Sequence, residues 1–307
     1  MKRNETGYLD LMKNIVDHGN IREDRTGTGT LSIPFPDPLR FDILNSIPLL
    51  TTKKMAWKTI IKELLWFLRG DTDSNILKSE NVHIWDKNTS RQFLDSRGLS
   101  YKEGILGPGY GFQWRHFGAV YDEKFANSCN VLPNDISDGF DQIAYIENLL
   151  KTDPFSRRIF MSSWNPKQLS EMALVPCHIS CQFYVSKKID EKSSEEKLFL
   201  SSHVVMRSSD VFLGLGFNIF SYAVLTRILA KRCSMECQEL VISFGDCHIY
   251  LDHLQQVKEQ LSREPFQAPN LIISDSISQK SYSEMTINDF TLIDYKCHSQ
   301  IKASMSA

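Results

Sequence analysis

Thr59 to Arg69 is the segment that most restricts the fold: a strongly apolar helix closed by Gly70, which the rest of the chain must cover. With 307 residues, 42% hydrophobic and 23% charged, the chain has enough material to build that cover as one large domain. No Gly/Ser-rich or Pro-rich linker and no fixed-period repeat divides it, so a single domain over residues 1–307 is expected.

Other periodicities fill in the frame. Tyr8, Leu11, Met12, Ile15 and Val16 make one helical stripe between Tyr8 and His18, and Gly19 can end it. Leu31, Ile33 and Phe35, then Leu39, Phe41 and Ile43, alternate as strands, and Pro34, Pro36 and Pro38 imply an edge or a break. Helices are also expected over 138–151, 217–231 and 250–261, and strands over 173–186, 198–206 and 240–244. The charged run 187–197 reads as a solvated hairpin loop. Helices and strands interleave without a βαβ rhythm, which indicates α+β.

A net charge of −2 argues against a broad nucleic-acid surface, so phosphate recognition would need a few placed arginines. The N-terminus lacks a signal-peptide core, and no apolar run reaches the ~18 residues of a membrane span. Seven dispersed cysteines fit free thiols in a reducing, intracellular setting.

Three groups of residues could carry chemistry. Glu63 lies between Trp66 and Phe67, about 100° from the polar face marked by Lys62 and Arg69. Burial there would raise its pKa; the bland alternative is a boundary glutamate reaching solvent. If the strand through Cys177 is continuous, Cys177, Ile179, Cys181, Phe183 and Val185 share one face and His178 the other. That would exclude a Cys–His dyad and leave a nearby arginine to activate the thiol, while an inert core thiol stays the bland reading. Cys177 and Cys181 lie too far apart along a strand to share zinc, and Cys233 and Cys237, at helical spacing, lack a second ligand pair, so no metal is expected. Arg25 in DRTGTGT, Arg157 and Arg158 in DPFSRR, and Arg207 with Ser208 in MRSSD suit phosphate through their planar forks. No GK[ST] follows Arg25, so this is no Walker motif.

Read in order, EDRTGTGT (23–30), PLLTTKK (48–54), ELLWFLRGDT (63–72), LGPGYGFQWRHFGA (106–119), SRRIFMSSWNP (156–166), MALVPCHISCQFYV (172–185), RSSDVFLGLGFN (207–218) and GDCHIY (245–250) resemble the thymidylate synthase family, from about Tyr8 to the C-terminus. The resemblance implies a large twisted mixed sheet packed with helices. It also implies methylation of dUMP to dTMP by 5,10-methylenetetrahydrofolate, which supplies both carbon and hydride.

Cys177 resembles the nucleophile that adds to carbon 6 of the pyrimidine, and Glu63 the general acid–base residue. Tyr110 and His178 resemble the polar residues supporting that network. Arg25, Arg207 and Ser208 match phosphate-binding positions, Ser209 a substrate-binding one, and Arg157 and Arg158 a pair reaching across a homodimer. Asn218 matches the reader of the uracil edge, and His248 with Tyr250 the holders of the ribose hydroxyl. Ile84, Trp85, Asn88, Asp210, Leu213, Gly214 and Phe217 match folate-site positions, and the resemblance implies a catalytic and substrate-binding part for Asp210 as well. Met305, Ser306 and Ala307 match a tail closing over folate. A cytoplasmic location, with the nucleus left open, accompanies this reading; membrane and RNA partners are not indicated.

Met206, Gly216 and Gly109 depart from the family's usual glutamine, proline and valine, and methionine lacks the amide's donor and acceptor. Two rivals remain: a hydroxymethylase trapping the methylene with water, which Trp85 and Asn218 disfavour, and a nucleotide- or RNA-binding regulator without turnover, which intact Cys177, Glu63 and Asn218 disfavour.

Overall fold

Apolar residues spaced three and four apart put one stripe of helix α1 (Glu5–His18) into the core, burying Tyr8, Leu11, Met12 and Ile15. The helix ends at Gly19, whose N–H bonds the Ile15 carbonyl. This computed structural model describes residues 4–24, 26–127, 139–189 and 196–304. Strands β1 (Asn20–Arg22), β2 (Thr30–Pro34) and β3 (Leu39–Asp42) follow. The alternation expected through Phe35 fails there. Phe35 adopts φ 47° and is 80% exposed; its N–H still donates to the Gly245 carbonyl at 2.7 Å, and Pro36, which has no N–H, follows where β2 has ended.

Helix α2 (Trp57–Arg69) buries Ile60, Ile61 and every residue from Leu64 to Leu68, as its composition requires. Gly70 ends it at φ 88°, a left-handed cap that a side chain would strain. Truncating Leu64, which is fully buried, to alanine would cost about 2–5 kcal/mol. The short helices α3 (Ser74–Ser79), α4 (Arg91–Ser96) and α5 (Tyr110–His116) lead to α6 (Gln142–Thr152). The last was expected from Asp138, which lies outside the described residues. Its cap is Asp141, whose carboxylate accepts the Ala144 N–H at 2.9 Å.

The remaining elements are β4 (Phe160–Ser162), β5 (His178–Ile189), β6 (Glu196–Asp210), α7 (Leu215–Arg232), β7 (Glu236–Tyr250), α8 (Leu254–Leu261), β8 (Asn270–Ile273) and β9 (Phe290–Ile293). The strand expected from Ala173 begins at His178. Those expected to stop at Met206 and Phe244 continue to Asp210 and Tyr250. The end of β6 has no apolar residue and that of β7 alternates only through Cys247 and Ile249 after Gly245, yet the ladder holds both in register, with Ser208 opposite Asp246 and Asp210 opposite His248. The helix expected from Tyr250 starts at Leu254, because Tyr250 is still paired with Thr30 in the sheet. Cys233 caps α7 and Cys237 lies in β7, so these two do not share a helix face.

The main sheet runs β1-β2-β7-β6-β5-β4, with β3 also on β7. The β6–β7 pair is parallel and the rest antiparallel, so the sheet is mixed. The α+β architecture is as expected. Strands β5 and β6 form a hairpin whose Lys187–Glu196 ion pair spans 2.5 Å; residues 190–195 lie outside the described residues. Helix α7 packs on β6 and β7 and is buried nearly all round, including Ile219, Phe220, Leu225 and Ile228. Among the described residues no helix is long and apolar enough to cross a membrane.

Candidate active site

Cys177 precedes β5 rather than lying within it, and the register against β6 slips just after it. His178 faces Met206 while Ser180 faces Val205, so Ile179 is an extra residue on β5. One inserted residue reverses the alternation. His178 is therefore buried together with Cys181, Phe183 and Val185, and Cys177 and His178 both line one cavity. This corrects the opposite-sides expectation.

A Cys–His dyad still does not follow. His178 Nδ1 pairs with the Tyr222 hydroxyl at 2.7 Å, and the ring stacks on Tyr110 with centroids 3.9 Å apart. Burial pushes its pKa down to about 3, so the imidazole stays neutral near pH 7.

The backbone of Cys177 is held from two sides. Its N–H donates to the Tyr110 hydroxyl at 2.7 Å, and its carbonyl accepts the Arg207 N–H at 2.9 Å. The Arg207 guanidinium donates to the carbonyls of Pro176 and Val175, at 2.7 and 3.1 Å. The Arg207 guanidinium thus braces the backbone of the cysteine loop. Burial holds the Tyr110 phenol well above its ordinary pKa, so it remains a neutral hydrogen-bonding group.

Glu63 projects from α2 into the same cavity and accepts the Trp85 indole N–H at 2.8 Å. Burial drives its carboxyl up to about 7 against the opposing effect of that hydrogen bond. A carboxyl poised at neutrality can take or give a proton.

The cavity measures about 680 Å³. Ile84, Trp85, Leu213 and Phe217 give it apolar walls, while Asn88, Asp210 and Asn218 supply polar edges. Asp210 Oδ1 accepts the N–H groups of Phe212 and Leu213, both at 3.1 Å, which fixes the carboxylate at the end of β6 over the turn that leads to α7. Apolar walls with a few placed polar groups suit a flat heterocycle with polar edges.

Of the other expected residues, Gly214 lines the cavity, whereas Ser208, Ser209, His248, Tyr250, Arg157, Arg158 and Arg207 are not among its described lining residues. His248 is near by register, opposite Asp210, and pairs through Nδ1 with Asp246 at 2.7 Å. Asp246 also accepts from Ser32 and Arg22. Although desolvation opposes it, the bonds from His248 and Ser32 hold its carboxyl below the ordinary value. The Ser209 hydroxyl is buried without a hydrogen-bond partner among the described residues. Arg157 and Arg158 are exposed just before β4. Arg25, Met305, Ser306 and Ala307 lie outside the described residues.

Sequence reasoning assigned no role to Lys53, Lys54, Met55, Ala56, Leu174 or residues 300–303, all of which line the cavity. Lys53 is buried, donates to the Phe212 carbonyl and sits 4.0 Å over the Phe212 ring. Desolvation lowers its pKa to about 8. The charged pair ending the string PLLTTKK was its available signal.

The departures have distinct settings. Met206 is 1% exposed and belongs to the main core. At Gly216 a Cβ would lie 2.7 Å from Leu50 Cδ1 and 3.1 Å from Met55 Cε, so a side chain at the start of α7 would have to displace the flexible tips of Leu50 and Met55. At Gly109 a Cβ would meet Leu106 at an ordinary 3.5 Å, so nothing in the geometry demands glycine.

A thiol on a doubly held loop, with a neutral histidine and a carboxyl titrating near pH 7 in one cavity, is equipped for nucleophilic catalysis with proton transfer. The class of protein so defined is an enzyme. A family model described as thymidylate synthase matches residues 6–307. The chain is 46% identical to thymidylate synthase of Candida albicans, over 98% of this chain and 97% of that one. It is 47% identical to that of Saccharomyces cerevisiae, over 99% and 97%, and 45% identical to that of human herpesvirus 8, over 98% and 84%. The chain belongs to the thymidylate synthase family.

Proposed function

We propose that this enzyme converts dUMP to dTMP with 5,10-methylenetetrahydrofolate, and that Cys177 is the nucleophile. The observation that carries the assignment is the convergence of Cys177, Glu63 and Asn218 on one cavity with the folate-position residues Trp85, Asp210 and Phe217. The Cys177 sulfur adds to carbon 6 of uracil, which makes carbon 5 nucleophilic toward the folate methylene. Loss of the carbon-5 proton, elimination of the folate, hydride return and release of the thiolate give dTMP and dihydrofolate. The folate supplies one carbon and one hydride, and the residues of the chain do the rest.

Glu63 moves protons at the pyrimidine through water. Asn218 matches the donor–acceptor edge of uracil. Arg25, Arg207 and Ser208 are assigned to the phosphate, Ser209 to the nucleotide, and His248 and Tyr250 to the sugar. Trp85 and Phe217 offer stacking faces to a pterin, and Asp210 an acceptor for its N–H groups. Met305 and Ser306, which come after the wall residues 300–303 in sequence, are assigned to the folate on the family resemblance alone.

A homodimer completes this reading, with Arg157 and Arg158 serving the neighbouring subunit. The outer sheet face supports it: Phe160 is 44% and Tyr184 69% exposed on paired strands, beside the arginine segment. Among the described residues, the unbridged thiols of Cys181, Cys233, Cys237, Cys247 and Cys297 support a reducing compartment, the cytoplasm.

The test is covalent trapping. Mixed with 5-fluoro-dUMP and 5,10-methylenetetrahydrofolate, the protein should gain the mass of both ligands and survive denaturation as an adduct. Absence of an adduct, with nucleotide binding intact, would overturn the assignment.

A further inference from the structure

Residues 300–303 form one wall of the cavity but have no helix or strand of their own. Tertiary contacts must hold that wall. One is Ile301, buried in the main core. The other lies at its end, where the Ser304 carbonyl meets His253 Nε2 at 2.8 Å.

His253 closes the turn Leu251–His253 between β7 and α8 and is 1% exposed. A carbonyl only accepts, so Nε2 must carry the proton and Nδ1 is left as a bare acceptor. Nδ1 is buried with no hydrogen-bond partner among the described residues. The Asp252 carboxylate also approaches Nε2, at 3.7 Å. The ring packs against Phe212 and Tyr250, with centroids at 5.5 and 5.8 Å. Phe212 in turn receives the cavity lysine Lys53. A histidine serving only as packing has no need to spend its N–H on a segment without secondary structure.

We propose that His253 is a positioning residue that pins the C-terminal segment as the cavity wall and thereby sets affinity for the second, folate substrate. The substrate assignment rests on the function proposed above; the pinning itself does not.

The experiment compares His253→Gln with His253→Asn. A glutamine amide can place a donor where Nε2 stood, whereas the shorter asparagine amide reaches only the Nδ1 position. Both are polar and close in size, so general effects of replacing a buried ring should be shared. Three readouts are taken: KM for methylenetetrahydrofolate, Kd for dUMP, and the rate at which carboxypeptidase trims the ligand-free enzyme. Loss of one hydrogen bond should raise the folate KM roughly five- to tenfold in the asparagine variant. Trimming should accelerate in parallel, the Kd for dUMP should stay within about twofold, and the glutamine variant should remain near wild type. In chains ending at Ala303, where the acceptor is gone, the two variants should have the same folate KM.

Equal behaviour of the two variants in the full chain, or equal losses of dUMP and folate affinity in the asparagine variant, would overturn the proposal. Failure of the wild type to turn over dUMP would instead sink the substrate reading, and trimming would still decide the pinning.

Discussion

The Trp85 indole N–H donates to Glu63 Oε1 at 2.8 Å, joining the chain after α3 to the face of α2 that borders the cavity. The bond stabilises the ionised carboxylate while burial disfavours it. Burial wins, and the carboxyl titrates at about 7 rather than near 4.5.

The pH dependence follows. The wild-type profile of kcat/KM should break near pH 7, and Glu63→Gln should lose both that break and most of its rate, roughly 10²-fold or more. Trp85→Phe removes the donor and should move the break upward. Stability moves too. Between pH 4.5 and 7 the folded protein holds a proton that the unfolded chain has released, so this carboxyl lowers stability as pH rises through the window. Glu63→Gln should therefore gain about 1–3 kcal/mol relative to wild type on going from pH 4 to pH 8, as measured by denaturant unfolding. A constant difference between the two proteins would contradict the raised pKa.

Cys177→Ser should fold, bind dUMP and turn over roughly 10³-fold or more slowly, because a serine hydroxyl has no matched base here and His178 is committed to Tyr222. Arg157→Glu should also be inactive if exposed Arg157 serves the neighbouring subunit. Mixing the two inactive chains should then restore activity up to about a quarter of the wild-type level, since one site of each heterodimer is intact (~half of the dimers, one of two sites). Subunit exchange without regained turnover would rule out the shared site.

Met206→Gln tests the departure in β6. The side chain lies in the apolar core opposite His178 in the ladder, and His178 already pairs with Tyr222. A new amide there finds its polar neighbour engaged, so the variant should lose about 1–3 kcal/mol of stability with no gain in kcat. Thermal unfolding and steady-state kinetics together check this. A stable, faster variant would show that the site has kept room for the amide.

Asn218→Asp should shift preference from dUMP toward dCMP. An ionised aspartate only accepts, so it opposes the uracil carbonyl and accepts from the cytosine amino group. A buried mismatch of about 1–3 kcal/mol changes the ratio of kcat/KM values roughly 5- to 150-fold. Chromatography of both products reads it; an unchanged ratio in a folded variant would remove Asn218 from base recognition.

Local pattern determined a definite part of this protein. The stripe of α1, the burial of α2 with its Gly70 cap and the place of Glu63 away from the polar face of α2 all follow from residues within one or two helical turns of each other. The ordered strings around Cys177, Arg207 and Asn218 carried the family. Tertiary structure decided the rest. The strand end RSSD has no apolar residue, and β6 extends through it only because β7 lies alongside; in GDCHIY Cys247 and Ile249 do alternate with polar residues, but only the ladder shows that the strand runs on through Gly245. The extra residue Ile179, which turns His178 into the cavity beside Cys177, exists only relative to the register of β6. Lys53 and residues 300–303 reach the same cavity from nearly 250 positions apart in sequence. Periodicity records which face of one element is buried; it holds no information about which distant elements will share that burial.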